Sequence, residues 1–145
     1  MADFSLDLTT APKADDLAVL KAGMRRYELS RLPGLPDESE DVPAAVFART
    51  GDGTVIGGAQ GNVYWNGVEV ELLWVAETHR RLGIARDLMT RLEDFARGHG
   101  AVIAYLRTVD ARPFYERIGY EVYGVLEDRP IGTVLYHMKK RLDGG

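Results

Sequence analysis

Residues 71–89 read ELLWVAETHRRLGIARDLM, and the rest of the chain arranges itself around them. Leu72–Ala76, an unbroken apolar run, reads as a buried strand. After a short turn, Leu82, Ala85, Leu88, Met89, Leu92 and Phe95 recur at helical spacing, which predicts a helix over His79–Arg97 closed by Gly98 and Gly100. The start of that helix is electrostatically inverted. Helix N-termini carry unpaired N–H groups and partial positive charge and favour Asp or Glu, yet Arg80, Arg81 and Arg86 crowd this one. Each misplaced cation costs roughly a few tenths of a kcal/mol, and an anion docked on the same amides reverses the sign. A phosphate-bearing ligand accounts for the pattern; a solvated basic face is the plainer alternative when the stretch is taken alone. Neither the P-loop pattern nor a strand-borne dinucleotide fingerprint occurs, and Gly51, Gly53, Gly57, Gly58 and Gly61 read as turns and bulges of hairpins.

Upstream, Phe4–Leu8 alternates apolar and polar residues and predicts a short first strand. Asp15 and Asp16 then open a helix carrying Leu17, Leu20, Met24 and Tyr27 and ending near Leu32. Residues 31–43, with three prolines and four acids, predict a long connection holding at most one helical turn. Ala44–Arg49 and Thr54–Gln60 flank Gly51-Asp52-Gly53 as one hairpin. A second hairpin turns at Asn66-Gly67 between Val63-Tyr64-Trp65 and Val68–Val75. Downstream, Val102–Leu106 is a strand, Ala111–Ile118 a brief helix, and Tyr120–Leu126 and Val134–Lys139 complete a sheet. Strand runs preceding a βαβ unit make the class α+β.

At 145 residues the chain suits one domain over 1–145, and 46% hydrophobic with 28% charged residues is a globular composition rather than a disordered or fibrous one. Zero cysteines exclude a disulfide framework, a thiolate nucleophile and a sulfur-built zinc site. Three histidines at unrelated spacing, His79, His99 and His137, argue against any metal. The absence of a bilayer-length apolar run and of a basic leader predicts a cytoplasmic protein with no membrane partner, and the net charge of −4 argues against nucleic acid.

Arg80-x-x-Gly83-x-Ala85 resembles the R/Q-x-x-G-x-G/A motif of the GNAT superfamily of N-acetyltransferases, in the matching place after a strand and opening a helix. Ala111-Arg112-Pro113-Phe114-Tyr115-Glu116-Arg117-Ile118-Gly119-Tyr120 is similar to that family's second hallmark, and the two flank the 102–106 strand as the family requires. The resemblance implies a three-layer α/β/α fold around a mixed, mostly antiparallel sheet of about seven strands, splayed between the fourth and fifth. It implies acetyl-CoA as co-substrate. The backbone of Leu73, Trp74 and Val75 would pair with the pantetheine arm as an added strand. The amides of Arg80, Arg81, Leu82, Gly83, Ile84, Ala85 and Arg86 would hold the pyrophosphate. Thr108 stands where the family commonly has a cofactor-contacting asparagine.

The implied reaction is direct acetyl transfer to a primary amine, that of a small-molecule acceptor, in a ternary complex. Family spacing points to Glu69 as base, with Glu71 on the same face two residues later; both also suit ordinary outward carboxylates. Tyr115 falls beside the departing CoA sulfur as general acid, or else is a packing aromatic next to Phe114. His79 reads as packing or capping, His99 as a helix-end cation, and His137 as a strand residue. Asp37, Glu38, Glu40 and Asp41 are either a solvated loop or a lure for a cationic amine. Two rival readings are acetylation of a protein or peptide amine and a non-catalytic acyl-CoA sensor. A homodimer is common in the family.

Overall fold

A computed structural model describes residues 3–144, and the chain divides after Leu35 into two compact units. The first unit carries helix α1 (Ala14–Arg31), with Asp15 and Asp16 in its first turn and Arg31 in its last, as the helix dipole favours. The Leu32 N–H closes it onto the Glu28 carbonyl at 2.7 Å, and Arg25 donates to the Leu35 carbonyl at 2.8 Å. The strand expected over Phe4–Leu8 does not form. Alternation prepares a segment for a sheet, but only a neighbouring ladder satisfies its amides, and among the described residues this segment joins none.

The second unit is a six-stranded sheet, so the expected count of about seven is corrected by that one strand. Its strands are β1 (Val42–Arg49), β2 (Val55–Tyr64), β3 (Gly67–Val75), β4 (Ile103–Thr108), β5 (Glu121–Glu127) and β6 (Val134–Arg141). They lie in the order β1-β2-β3-β4-β6-β5, with every pairing antiparallel except β3–β4. Two helices complete the unit, α2 (Ile84–Gly98) and α3 (Arg112–Arg117). Leu88, Met89, Leu92 and Ala96 of α2 are buried in one core with Val63, Val68, Val70 and Val75 of the sheet, and Tyr115 of α3 joins the same cluster. Both helices therefore cover one sheet face.

The β2–β3 turn sits one residue earlier than expected. Trp65 and Asn66 hold the positive φ angles, 49° and 62°, and Gly67 is already paired with Tyr64. Gly67 serves a different need: a Cβ there would meet Ile103 Cγ2 at 3.3 Å, so it lets β4 approach β3. That approach is brief. The parallel ladder runs only from Gly67↔Ile103 to Glu69↔Tyr105, after which the two strands part while β3 continues six residues further.

β3 also carries a bulge. Gln60 faces Leu72 and Gly61 faces Val70, leaving Glu71 as the extra residue. Alternation consequently switches, from Val68 and Val70 facing the core to Leu73 and Val75 doing so.

The long helix expected over His79–Arg97 begins five residues later, at Ile84. Arg81 and Gly83 hold φ angles of 65° and 80°, which no right-handed helix accommodates, and a short 3₁₀ turn, Glu77–His79, occupies the intervening chain. Arg80 and Arg81 thus belong to a loop, and only Arg86 lies in the helix's first turn. At the other end of the unit Glu93 of α2, 3% exposed, accepts from Tyr120 Oη at 2.7 Å and Lys140 Nζ at 2.9 Å, fixing α2 to β6 and to the residue that opens β5.

Candidate active site

A groove of about 960 Å³ opens along the start of α2, the outer half of β3 and the face of α3. It is lined by Leu73, Trp74, Val75, every residue from Arg80 to Arg86, Phe114 and Tyr115, so the structure gathers two segments about thirty residues apart in sequence. The floor is backbone. With β4 gone beyond Glu69↔Tyr105, the β3 edge that a neighbour would pair with is left open, the arrangement that accepts an added extended chain. Arg80 Nε donates to the Val75 carbonyl at 3.1 Å, which pins the loop to the end of that edge.

At the α2 start, Gly83 is the N-cap with a left-handed backbone and no side chain caps the helix, so the first-turn amides point free toward the groove. A Cβ on Gly83 would lie 3.3 Å from Arg86 Nη2. The uncapped amides, the helix dipole and Arg86 together form an anion cradle.

Tyr115 is 8% exposed, packed edge-on against Phe114 at 5.1 Å and Tyr120 at 5.8 Å between ring centroids. The residue lines the groove. Burial, reinforced by the Asp110 carboxylate, pushes its pKa above the ordinary phenol value, so it is a proton-bearing donor at neutral pH.

The expected bases lie elsewhere. Glu69 and Glu71 line a second groove of about 720 Å³, together with Leu72, Tyr105, Arg107, Tyr123, Arg129 and His137. Tyr105 and Arg107 alternate with the buried Ala104 and Leu106, so this groove occupies the sheet face opposite α2 and α3. Along β3 the two linings adjoin, the second groove ending at Leu72 and the first beginning at Leu73. Tyr105 Oη donates to Tyr64 Oη at 2.6 Å, and burial raises its pKa first, that bond second.

Thr108 is not gathered with the other proposed cofactor residues. It borders the second groove, and its Oγ1 accepts the Ala111 N–H at 3.1 Å, steadying the approach to α3. His79 borders the first groove with Nδ1 2.9 Å from Thr78 Oγ1, and His99 stacks on Phe95 at 4.3 Å beyond the end of α2. Asp37 and Glu40 form a reciprocal cap on a 3₁₀ turn (Glu38–Glu40), and Asp41 accepts from Asn62 Nδ2 at 3.4 Å. Sequence reasoning passed over Arg107, Tyr123 and Arg129. The period-two pattern of β4 carried a signal for Arg107; Arg129, in the β5–β6 connection, left none.

Among the described residues no helix is long and apolar enough to cross a membrane, and no group of three or more potential ligands could hold a metal ion. The model of the acetyltransferase (GNAT) family matches residues 17–120. The chain is 34% identical over 101 residues to the blasticidin-S acetyltransferase of Streptomyces morookaense, covering 68% of this chain and 74% of that protein. It is 33% identical over 117 residues to an acetyltransferase of Agrobacterium fabrum, covering 79% and 82%. The crystal structure of an acetyltransferase from Bacillus cereus superposes with a TM-score of 0.80 at 26% identity, covering 93% of this chain and 97% of that one. With motif, groove and fold in agreement, the chain belongs to the acetyltransferase (GNAT) family.

Proposed function

We propose that the protein transfers the acetyl group of acetyl-CoA to the primary amine of a small molecule, directly and within a ternary complex. Family membership supplies the donor and the reaction class; the observation that carries the rest is that the β3–β4 ladder ends at Glu69↔Tyr105 and that two grooves adjoin along the freed part of β3, at Leu72 and Leu73. Acetyl-CoA fits the first groove, its pyrophosphate on the amides around Gly83–Arg86 and its pantetheine arm along β3. The thioester then reaches that junction, where an amine entering from the second groove meets it. The name of the blasticidin-S relative supports a small acceptor.

An alkylamine of pKa ~10 is neutral in about one molecule in 10³ at pH 7, so a proton acceptor near the second groove speeds attack. We assign that role to Glu69, with Glu71 as its neighbour at the bulge. The amine nitrogen attacks the carbonyl carbon, the C–N bond forms, the C–S bond breaks, and the nitrogen's proton passes to the carboxylate or through water. Tyr115 donates a hydrogen bond to the sulfur as it gains charge. No residue of the chain becomes acylated.

Thiol release from acetyl-CoA, measured across polyamines, aminoglycosides, amino acids and peptides, tests the reading. Turnover with small amines and none with peptides is expected. Turnover confined to peptides moves the reaction to protein amines, and acetyl-CoA binding without turnover on any acceptor makes the protein a sensor.

A further inference from the structure

Glu69, Glu71, Arg107 and Arg129 line the second groove, two charges of each sign, and none of their side chains makes an ion pair or a hydrogen bond with a described residue. Elsewhere in this unit Lys140 is joined with Glu93, Arg97 with Asp94 and Arg141 with Asp143. In the groove they are held apart. Glu69 faces Tyr105 across the β3–β4 ladder, and Arg107 lies two residues further along β4 on the same face. Two parallel-strand steps and one strand spacing put their Cα atoms roughly 8 Å apart, within reach of two long side chains. The strands diverge just there, so the acids stay on the β3 wall while Arg107 stays on the β4 wall, with Arg129 contributed from beyond β5.

The ring of Tyr105 leans away from Arg107, toward Gly67 and Tyr64, and Tyr105, Tyr123 and His137 border the same space. A ligand with one positive charge satisfies half of this set and leaves two guanidinium groups unmatched. From this we infer that the acceptor is a zwitterion: besides its amine, which faces Glu69 and Glu71, it carries an anionic group, carboxylate or phosphate, held by Arg107 and Arg129. The inference rests on the proposed acetyl transfer for the amine's direction, but the binding preference stands separately from turnover.

The test titrates the CoA-bound protein with matched probes and follows backbone NMR shifts of residues lining the second groove. One pair is 6-aminohexanoate and pentylamine; the other is phosphoethanolamine and ethylamine, so the arms distinguish carboxylate from phosphate. At least one anionic probe is expected to bind about tenfold or more tightly than its partner. Arg107→Gln and Arg129→Gln are each expected to reduce that ratio to below about threefold, and Arg107→Glu to invert the preference toward 1,5-diaminopentane. Equal affinity within both pairs overturns the inference, as does a ratio that both glutamine variants leave intact, or failure of both anionic probes to bind at tens of millimolar. Anionic probes that bind with the predicted ratio but release no thiol support the site and count against acetyl transfer. Thiol release with amines that show no ratio does the reverse.

Discussion

Tyr115 combines a ring fixed on two sides by Phe114 and Tyr120 with a place on the wall of the first groove. Its raised pKa makes full proton transfer to a departing thiolate of pKa ~8.5 more uphill than an ordinary phenol would find it. A hydrogen bond that strengthens with charge on sulfur is the contribution left. Tyr115→Phe keeps the ring and removes only the donor, so kcat is expected to fall about 10²-fold with the acetyl-CoA Kd and Tm nearly unchanged; kcat within about threefold of the parent makes it a packing residue. Glu69→Gln should lower turnover mainly below the acceptor amine's pKa, because only there is proton removal limiting, whereas the same loss at all pH values points to a positioning role. At this scale the sequence was most legible where a motif ties residue type to spacing: Arg80–Ala85 and Tyr115 fall in one groove as the resemblance implied. Arg129 escaped because a turn arginine has no partner in sequence to betray it, and Thr108, named for the cofactor, borders the second groove instead.

The start of α2 is the element to which we assign the cofactor's pyrophosphate, and its conformation explains why a helix over His79–Arg97 does not form in full. Apolar spacing runs smoothly back to Leu82, but periodicity registers which face a side chain occupies and not whether the backbone can be left-handed. Arg81 and Gly83 are, so the helix begins after them and its amides are left uncapped. The Phe4–Leu8 segment failed for the complementary reason, since a strand is a property of a pair. The hairpins and βαβ order depended on local turns and long apolar runs and were legible to within a residue or two, whereas the splay came only with the family resemblance. If the uncapped amides hold pyrophosphate, CoA at a hundred times its Kd should stabilise the fold by about 2.7 kcal/mol and raise Tm by about 5–10 °C. Gly83→Ala should cut that shift by more than half. Because a Cβ at φ +80° also strains the apo protein, Gly100→Ala, at φ +87° past the far end of α2, is the control: a lower Tm with the full CoA shift. Equal shifts in all three proteins remove the loop from the cofactor site.

Across the sheet unit, stability and acid–base behaviour meet at the buried contact of Glu93 with Tyr120 and Lys140, which joins α2 to β6 and the head of β5. Burial first, and then the Glu93 charge and hydrogen bond, hold the Tyr120 phenol protonated well beyond the ordinary value of 10.0. Tyr105 and Tyr115 are raised too, each chiefly by burial. Unfolding returns all three to ordinary phenols. Below pH 10 both states keep these protons and nothing changes. Above it the unfolded chain gives them up while the folded one retains them, so stability must fall as pH rises toward the folded-state values. For Tyr120 the slope approaches about 1.4 kcal/mol per pH unit; solvent screening makes Tyr105 and Tyr115 weaker contributors. The expected record is a Tm that declines steeply from about pH 10 upward, with phenolate absorbance from these residues appearing together with unfolding. Tyr120→Phe separates the causes. At pH 7 it should cost about 1–3 kcal/mol, because Glu93 loses a donor in a buried position, while the decline above pH 10 becomes shallower than in the parent. A parallel decline in both proteins would assign the alkaline loss to groups other than this contact.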